Sequence, residues 1–209
     1  MILAIDTTSE FGSLALVEEG RVVEEALLHS PEGFAHVLHD HIAGLLARRD
    51  VGLSGIDAFA SAAGPGSFTG VRVGLAAVKG LAEATGKPAI GISNLQAPAW
   101  FGDRPLRATL LDARRGDVYG AVYNGLLETV SAEVVTKFTA WLESLPDGDV
   151  EFISPEMARF EAAFAGTRFA NAPRRNAPRA QAGAIGAIAW DRLQHGDVAA
   201  RVVIDFGAA

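Results

Sequence analysis

The sequence predicts an α/β fold made of two similar modules in tandem, and three observations carry that prediction. An apolar strand ending on aspartate occurs twice, as Ile2-Leu3-Ala4-Ile5-Asp6 and as Ala108-Thr109-Leu110-Leu111-Asp112. Each copy runs on into a second strand and a hairpin turn, with 14 residues from aspartate to turn glycine in the first copy and 13 in the second. Between the copies, the buried-strand pattern Ala58–Ala63 meets an apolar helix through the tight turn Gly64-Pro65-Gly66. Recurrence of one strand–hairpin–helix pattern at such spacing is the mark of a duplicated domain, and strands alternating with helices place it in the α/β class.

The elements follow in order. After the strand at 2–6 come Thr7-Thr8-Ser9, a strand Gly12–Glu18, the turn Glu19-Gly20 and a strand Arg21–Leu28. Pro31-Glu32-Gly33 behind Ser30 opens a helix to about Arg49, with Phe34, Val37, Leu38, Ile42, Leu45 and Leu46 on one face. The strand at 58–63, the central helix and a strand Pro88–Ile92 complete a β-β-β-α-β-α order. In the second copy Asp117–Tyr123 is the second strand, Asn124-Gly125 the hairpin turn and Leu126–Val135 the third strand. A helix at Phe138–Leu145, a strand at Val150–Ile153, a helix at Pro155–Phe164 and a loop at Ala170–Asn176 follow. The long Ala-rich helix Pro178–Gln194 stops at His195-Gly196 in the manner of a glycine cap. It is expected to return to the first module, so the first module spans 1–103 plus about 178–209, and the second, smaller one 104–177.

The central helix is unusual. From Val71 to Ala84 only Arg72, Lys79 and Glu83 are charged, and they share one narrow stripe. A helix apolar nearly all round must be covered on two sides. Val71, Leu75, Val78 and Ala82 form one face, and the smaller Val73, Ala77, Gly80 and Ala84 a second. One should pack on the sheet and the other on a partner. The glycine-rich turn before it fits no phosphate motif: Gly70 is followed by Val71-Arg72 rather than Lys-Ser/Thr, and the run is G-x-G-x-x-x-G rather than a dinucleotide fingerprint.

Composition narrows the function classes. There are no cysteines, which excludes disulfides, thiolate catalysis and Cys-based zinc sites. No apolar run approaches the ~20 residues that span a bilayer, and the start lacks signal-peptide features, so a cytoplasmic location is expected. Residues 1–63 hold 3 Lys/Arg against 10 Asp/Glu, a net of −7, while residues 64–209 hold 15 of each. The acidity belongs to the N-terminal part, and nucleic-acid binding by the chain alone is not expected, since such binding draws on basic surfaces. The cluster Arg174-Arg175 with Arg179 reads as a solvated loop. His36 and His39 share a helix face without a third ligand at metal spacing, and no Ser-His-Asp set or G-x-S-x-G elbow is present. Asp6 and Asp112 close equivalent strands and could hold magnesium in a phosphotransferase. Yet Ala113-Arg114-Arg115 replaces Thr7-Thr8-Ser9 in the second copy, so hydroxyls that would grip phosphate occur once.

Asp6-Thr7-Thr8, the run Gly64-Pro65-Gly66-Ser67-Phe68-Thr69-Gly70-x-Arg72-x-Gly74, and Lys79-Gly80-Leu81-Ala82 together resemble the TsaB (YeaZ) family. The likeness spans residues 1 to about 125, is weak to about 177 and is modest in the final helix; the tail Val202-Val203-Ile204-Asp205-Phe206 departs from the family's ending. The resemblance implies an actin-like ATPase fold of two ribonuclease-H-like halves, and a non-catalytic subunit of the bacterial machinery for threonylcarbamoyladenosine in tRNA. It implies TsaD as catalytic partner, TsaE as an ATPase partner, and contact with tRNA only through the complex; alone, the uncovered helix surface predicts a homodimer. In TsaD an Asn-His-x-x-x-His segment holds the metal; Asn94 and Pro98 stand at the corresponding places here, so no metal site and no catalytic residue is expected. Partner contacts are then expected from Phe68, Val71, Arg72, Leu75, Val78 and Lys79, with Leu38 and Ile42 beside them. Asp6, Thr7, Thr8 and Ser9 would be a residual phosphate loop, with no tightly bound cofactor and ATP or ADP only at the interface of the complex. The competing readings are an independent actin-fold phosphotransferase and a peptidase acting on its partner.

Overall fold

The computed structural model describes residues 1–197, and the tail strand expected at 202–206 lies outside them. The chain forms two compact units, Met1–Asn94 with the segment from Arg179, and Leu95–Pro178. The first boundary falls at 94/95, where the sequence reading put 103/104.

In the first unit, β1 (Ile2–Asp6), β2 (Phe11–Glu18), β3 (Arg21–His29), β4 (Ala58–Ala62) and β5 (Ala89–Ile92) form one sheet in the order β3-β2-β1-β4-β5. The first three strands are antiparallel; β4 runs parallel to β1, and β5 parallel to β4. β1 and β4 are buried at every position, which the two covered faces require. Leu3, Ile5, Leu14 and Leu16 enter one core with Leu38, Ile42 and Leu45 of α1 (Leu38–Arg48) and Val78 of α2 (Phe68–Thr85). The alternate residues face the other way, towards the returning helix α5 (Ala182–Gln194). There Gly186 lies so close that a Cβ would stand 2.5 Å from Val17 and 3.2 Å from Ala4. α5 has no cap of its own: the Gln181 and Ala182 N–H groups donate to Ser13 Oγ at 3.0 and 2.9 Å, and Gly183 N–H to Glu25 Oε1 at 2.7 Å. Burial raises the Glu25 pKa, while the Gly183 bond opposes the rise.

The second unit repeats the plan. β6 (Leu106–Arg114), β7 (Asp117–Asn124), β8 (Thr129–Lys137), β9 (Val150–Ser154) and β10 (Arg174–Asn176) are ordered β10-β9-β6-β7-β8. Taken in chain order this is the same 3-2-1-4-5 arrangement read from the other edge, with β6–β7–β8 antiparallel and β9 and β10 parallel additions. The fold is therefore two ribonuclease-H-like modules in tandem. Its core is aromatic: Phe138 and Trp141 of α4 (Phe138–Ser144) meet Phe152, Phe160, Phe164 and Phe169. Among the described residues no helix is long and apolar enough to cross a membrane.

Several expectations need correction. The helix expected from residue 31 begins at Leu38, because Ser30 Oγ donates to Gly33 O at 2.6 Å and Gly33 takes φ +89°, closing a turn first. The helix expected at 155–164 is two single turns, 157–159 and 161–164, with i→i+3 bonds such as Phe160 N–H to Met157 O at 2.9 Å. The hairpin at Asn124-Gly125 is a longer loop with β8 starting at Thr129; Asn124 Oδ1 organises it by accepting from Leu126 and Glu128 N–H at 2.9 and 3.0 Å. The Arg174-Arg175 segment is a strand, not a solvated loop. Arg174 pairs with Glu161, and Arg175 with Asp103 and the buried Glu151, whose bond raises the guanidinium pKa further.

Candidate functional site

The C-terminal end of β1 delivers Asp6, Thr7 and Thr8 to a point beneath the start of α2, and all three are buried. Asp6 Oδ1 accepts from Thr8 N–H at 2.9 Å and from Thr8 Oγ1 at 2.6 Å. Burial raises the Asp6 pKa, and the two bonds from Thr8 only partly oppose that. Thr8 Oγ1 also accepts from Asn94 Nδ2 at 2.5 Å, while Asn94 Oδ1 accepts from Gly64 N–H at 3.0 Å. The Asn94 N–H donates to Gly64 O at 2.8 Å, so this one residue fastens the β4 turn to the β1 loop. Thr7 Oγ1 donates to Gly70 O at 2.7 Å, and Ser67 N–H to Thr8 O at 2.7 Å. Ser9 stays outside, bonded to the backbone of Phe11.

Glycine makes this closeness possible. A Cβ on Gly66 would stand 2.8 Å from Thr8 Cβ, and one on Gly74 would stand 2.7 Å from Thr7 Oγ1 and 2.8 Å from Ser61 Oγ. A Cβ on Gly70 would overlap the Thr7 carbonyl oxygen outright. Glycines at 66, 70 and 74 thus let the turn and the first helical turns lie directly on the Thr7-Thr8 backbone. Ser67 is the N-cap, accepting from Gly70 N–H at 3.3 Å. The loop that could have cradled a phosphate is instead bonded to its own helix and to Asn94.

The two faces of α2 are resolved. Val71, Leu75, Val78 and Ala82 are buried against the unit's interior. Leu38 and Ile42 of α1 are likewise buried. These large residues cannot supply the outer contacts expected of Val71, Leu75, Val78, Leu38 and Ile42, because burying them in the unit's own core removes more apolar area from water than burying alanines. Of the expected surface, Phe68 (63% exposed) and Lys79 remain outside, with Arg72 half-buried. The Arg72 guanidinium lies 3.1 Å over the Phe68 ring and donates to Phe68 O at 3.3 Å, holding that ring at the helix start. The outer face carries exposed Ala76, Lys79, Gly80, Glu83 and Ala84, flanked by half-buried Val73 and Ala77. Among the described residues a Cβ on Gly80 would have no atom within 4 Å outside its own helical turn.

Asn94 and Pro98, the places compared with metal-binding histidines, are both engaged otherwise: Asn94 in the clamp, Pro98 buried in the short helix α3 (Gln96–Ala99). Among the described residues no three His, Cys, Asp or Glu side chains are grouped to hold a metal ion. The clamp itself was missed by sequence reasoning. Asn94 lies 86 residues from Thr8, and no local pattern announces such a bond.

A family model described as TsaD, tRNA N6-adenosine threonylcarbamoyltransferase, matches residues 31–202. The tRNA threonylcarbamoyladenosine biosynthesis protein TsaB of Bacillus subtilis is 34% identical over 153 residues, covering 71% of this chain and 67% of that protein. The chain belongs to the TsaB family. The TsaB of Escherichia coli is 38% identical over 144 residues, 65% of this chain and 62% of that one, so the alignments span about two thirds of these relatives' length. An uncharacterized protein with similarity to peptidase YeaZ, from Pseudomonas aeruginosa, superposes with a TM-score of 0.75 at 27% identity, over 98% of this chain and 99% of that one. The actin-like ATPase class of fold follows from the paired ribonuclease-H-like modules and from this neighbour.

Proposed function

We propose that this chain serves tRNA threonylcarbamoyladenosine biosynthesis, the process named for its relatives, as a non-catalytic subunit that docks on a TsaD-type threonylcarbamoyltransferase. Gly80 carries the proposal. Glycine inside a helix costs roughly 1 kcal/mol relative to alanine, and Gly70 and Gly74 have a close neighbour that explains them while Gly80 has none among the described residues outside its own helical turn. A helix from another molecule laid across Ala76, Gly80 and Ala84 would supply the missing neighbour, since small residues let two helix backbones approach closely. A second copy would use the same surface when the partner is absent, giving a homodimer, and a TsaE-type ATPase would join the complex afterwards.

The closed loop supports the non-catalytic part of the reading. Thr8 Oγ1 already donates to Asp6 and accepts from Asn94, which leaves the independent phosphotransferase without its hydroxyl grip. The reading requires no tightly bound cofactor, has tRNA reached through the complex, and places the work in the cytoplasm; ATP or ADP would sit only at the interface of the complex.

The test is a pair of arginine variants. Gly80→Arg meets open space, so it should stay folded, lose the homodimer and lose TsaD binding together. Leu75→Arg buries an unpaired charge, at a cost of about 3–5 kcal/mol, and should unfold or precipitate. Circular dichroism and light scattering, alone and with TsaD, read both. A folded Gly80→Arg that still binds TsaD with wild-type affinity removes the basis of the proposal.

A further inference from the structure

The hairpin between β6 and β7 carries two arginines that the fold itself does not use. Arg114 (φ +69°), Arg115 (φ +54°) and Gly116 (φ +80°) are three successive residues in the left-handed region. That backbone suits glycine and asparagine and is penalised for long L side chains; the two-residue turn itself is Arg115-Gly116, with Arg114 paired to Asp117. The backbone is pinned from three sides. Asp112 Oδ1 accepts from Arg114 N–H at 2.8 Å, Lys137 Nζ donates to Arg115 O at 3.0 Å, and Phe138 N–H donates to Gly116 O at 3.3 Å.

The side chains are the opposite case. Both arginines are exposed, and among the described residues neither guanidinium has a hydrogen bond, ion pair or ring contact. Arg104, Lys137, Arg159, Arg168, Arg174 and Arg175 of the same unit each hold a carboxylate. The two acids flanking the turn are already taken, Asp112 by Arg159 and Asp117 by Lys137. A strained backbone that presents two unused cations points from the outlier to a ligand.

We propose that Arg114 and Arg115 are a phosphate-binding pair that engages the RNA backbone when the subunit is assembled for tRNA modification, an inference that rests on the function proposed above. Guanidinium groups take phosphate oxygens in bidentate pairs, and two on adjacent residues suit a chain of phosphates. A single small anion would need converging backbone donors, but the Arg114 N–H is spent on Asp112. An acidic protein segment is the competing polyanion, and the experiment separates it.

The chain is assembled with TsaD and titrated into fluorescently labelled tRNA over a range of salt. Compared are wild type, the double variants Arg114→Glu/Arg115→Glu and Arg114→Lys/Arg115→Lys, and Arg21→Glu as an exposed-arginine control. Two lost phosphate contacts should flatten the slope of log K against log salt by about 1.4–1.8 and weaken binding about 10-fold or more at low salt in the Glu variant. The Lys variant should keep most of the slope, and Arg21→Glu should match wild type. The double variant Arg114→Asn/Arg115→Gly adds a second readout: it should melt higher than wild type, because the turn is relaxed, yet bind tRNA as weakly as the Glu variant. Unchanged tRNA affinity and slope in an intact assembly overturn this inference and leave the docking function standing. Loss of TsaD binding in the Glu variant also overturns it, since the pair would then be a protein contact. A wild-type chain that forms no assembly sinks the function above first.

Discussion

The three glycines inside α2 give one helix three internal controls for the packing described here. Each Gly→Ala change gains the same intrinsic preference, about 0.8–1.0 kcal/mol, so any difference between them comes from the surroundings. At Gly80 a new Cβ would have no described residue outside its own helical turn within 4 Å, and the full gain of about 1 kcal/mol should appear, raising the melting temperature by roughly 2–4 °C for a chain of this size. At Gly74 the new methyl would sit 2.7 Å from Thr7 Oγ1 and 2.8 Å from Ser61 Oγ. Thr7 Oγ1 cannot swing away without leaving Gly70 O. Overpacking at about 1–3 kcal/mol and a lost bond at about 1 kcal/mol outweigh the helical gain, so Gly74→Ala should destabilise by about 1–3 kcal/mol. At Gly70 the obstacle is the carbonyl of Thr7, and a backbone atom has no rotamer to escape into. The helix start must then withdraw from the loop, giving up the Ser67 to Thr8 bond as well, and the loss should exceed that at Gly74. Urea and thermal unfolding of the three single variants measure all of this. If Gly80→Ala destabilises as much as Gly74→Ala, the outer face of α2 is not open and the docking argument collapses. If Gly70→Ala keeps wild-type stability, the helix does not rest on Thr7.

Asp6 supplies a pH prediction. Its folded pKa is raised above 3.8 by burial, so the native state holds this proton more tightly than the unfolded chain. The contribution of Asp6 to stability is therefore full below about pH 3.8 and is lost as pH rises through the folded value. Asp6→Asn should abolish that decline and be the more stable protein at pH 7, as denaturation midpoints across the pH range will show; a less stable Asn variant at neutral pH contradicts the burial argument. Asn94→Ala removes both side-chain bonds of the clamp and should cost about 1–3 kcal/mol, measured by urea unfolding. The lone chain should neither modify tRNA nor take up zinc or iron stoichiometrically in calorimetry, and a micromolar metal site lost on Asn94→Ala would overturn that.

Much of the architecture was legible because duplication repeats its own evidence. Both strand-to-aspartate runs and the Glu19-Gly20 hairpin appear in the sequence and stand in the structure at nearly the expected positions, while the second hairpin lengthens into the loop before Thr129. What stayed hidden lacked a period. β10 is only three residues, Arg-Arg-Asn, and it is held by ion pairs to Glu151 and Glu161 rather than by alternating apolar residues. The two faces of α2 could be drawn from spacing, but their orientation depends on comparing buried areas with a sheet that the sequence does not place. The site was half legible in the same sense. Asp6, Thr7 and Thr8 stand out at a strand end, yet whether they meet a ligand or their own helix depends on Gly70, Gly74 and Asn94 together.

Asp6 and Asp112, each in the first strand of its module, show how one local motif acquires two fates. Asp6 is the last residue of β1 and Asp112 lies two residues before the end of β6, and both accept a backbone N–H from two residues ahead, Thr8 at 2.9 Å and Arg114 at 2.8 Å. The turn itself is thus the same, set by a short carboxylate reaching its own backbone. What differs is the cover. In the first unit α2 comes down on the turn through Gly70 and Gly74, so the residues after the aspartate must be compact and must bond inward, as Thr7 and Thr8 do. In the second, α4 presses its Trp141 on Gly120, further along β7, and the turn at 114–116 is left exposed. There two arginines can stand behind Asp112-Ala113 on a left-handed backbone. Placing Thr-Thr at 114–115 would test the difference: threonine is β-branched and also disfavoured at positive φ, so such a variant should be no more stable than wild type, whereas Asn-Gly should be. Urea midpoints for the two variants, measured side by side, settle whether backbone strain at this turn is real, and equal midpoints would refute it.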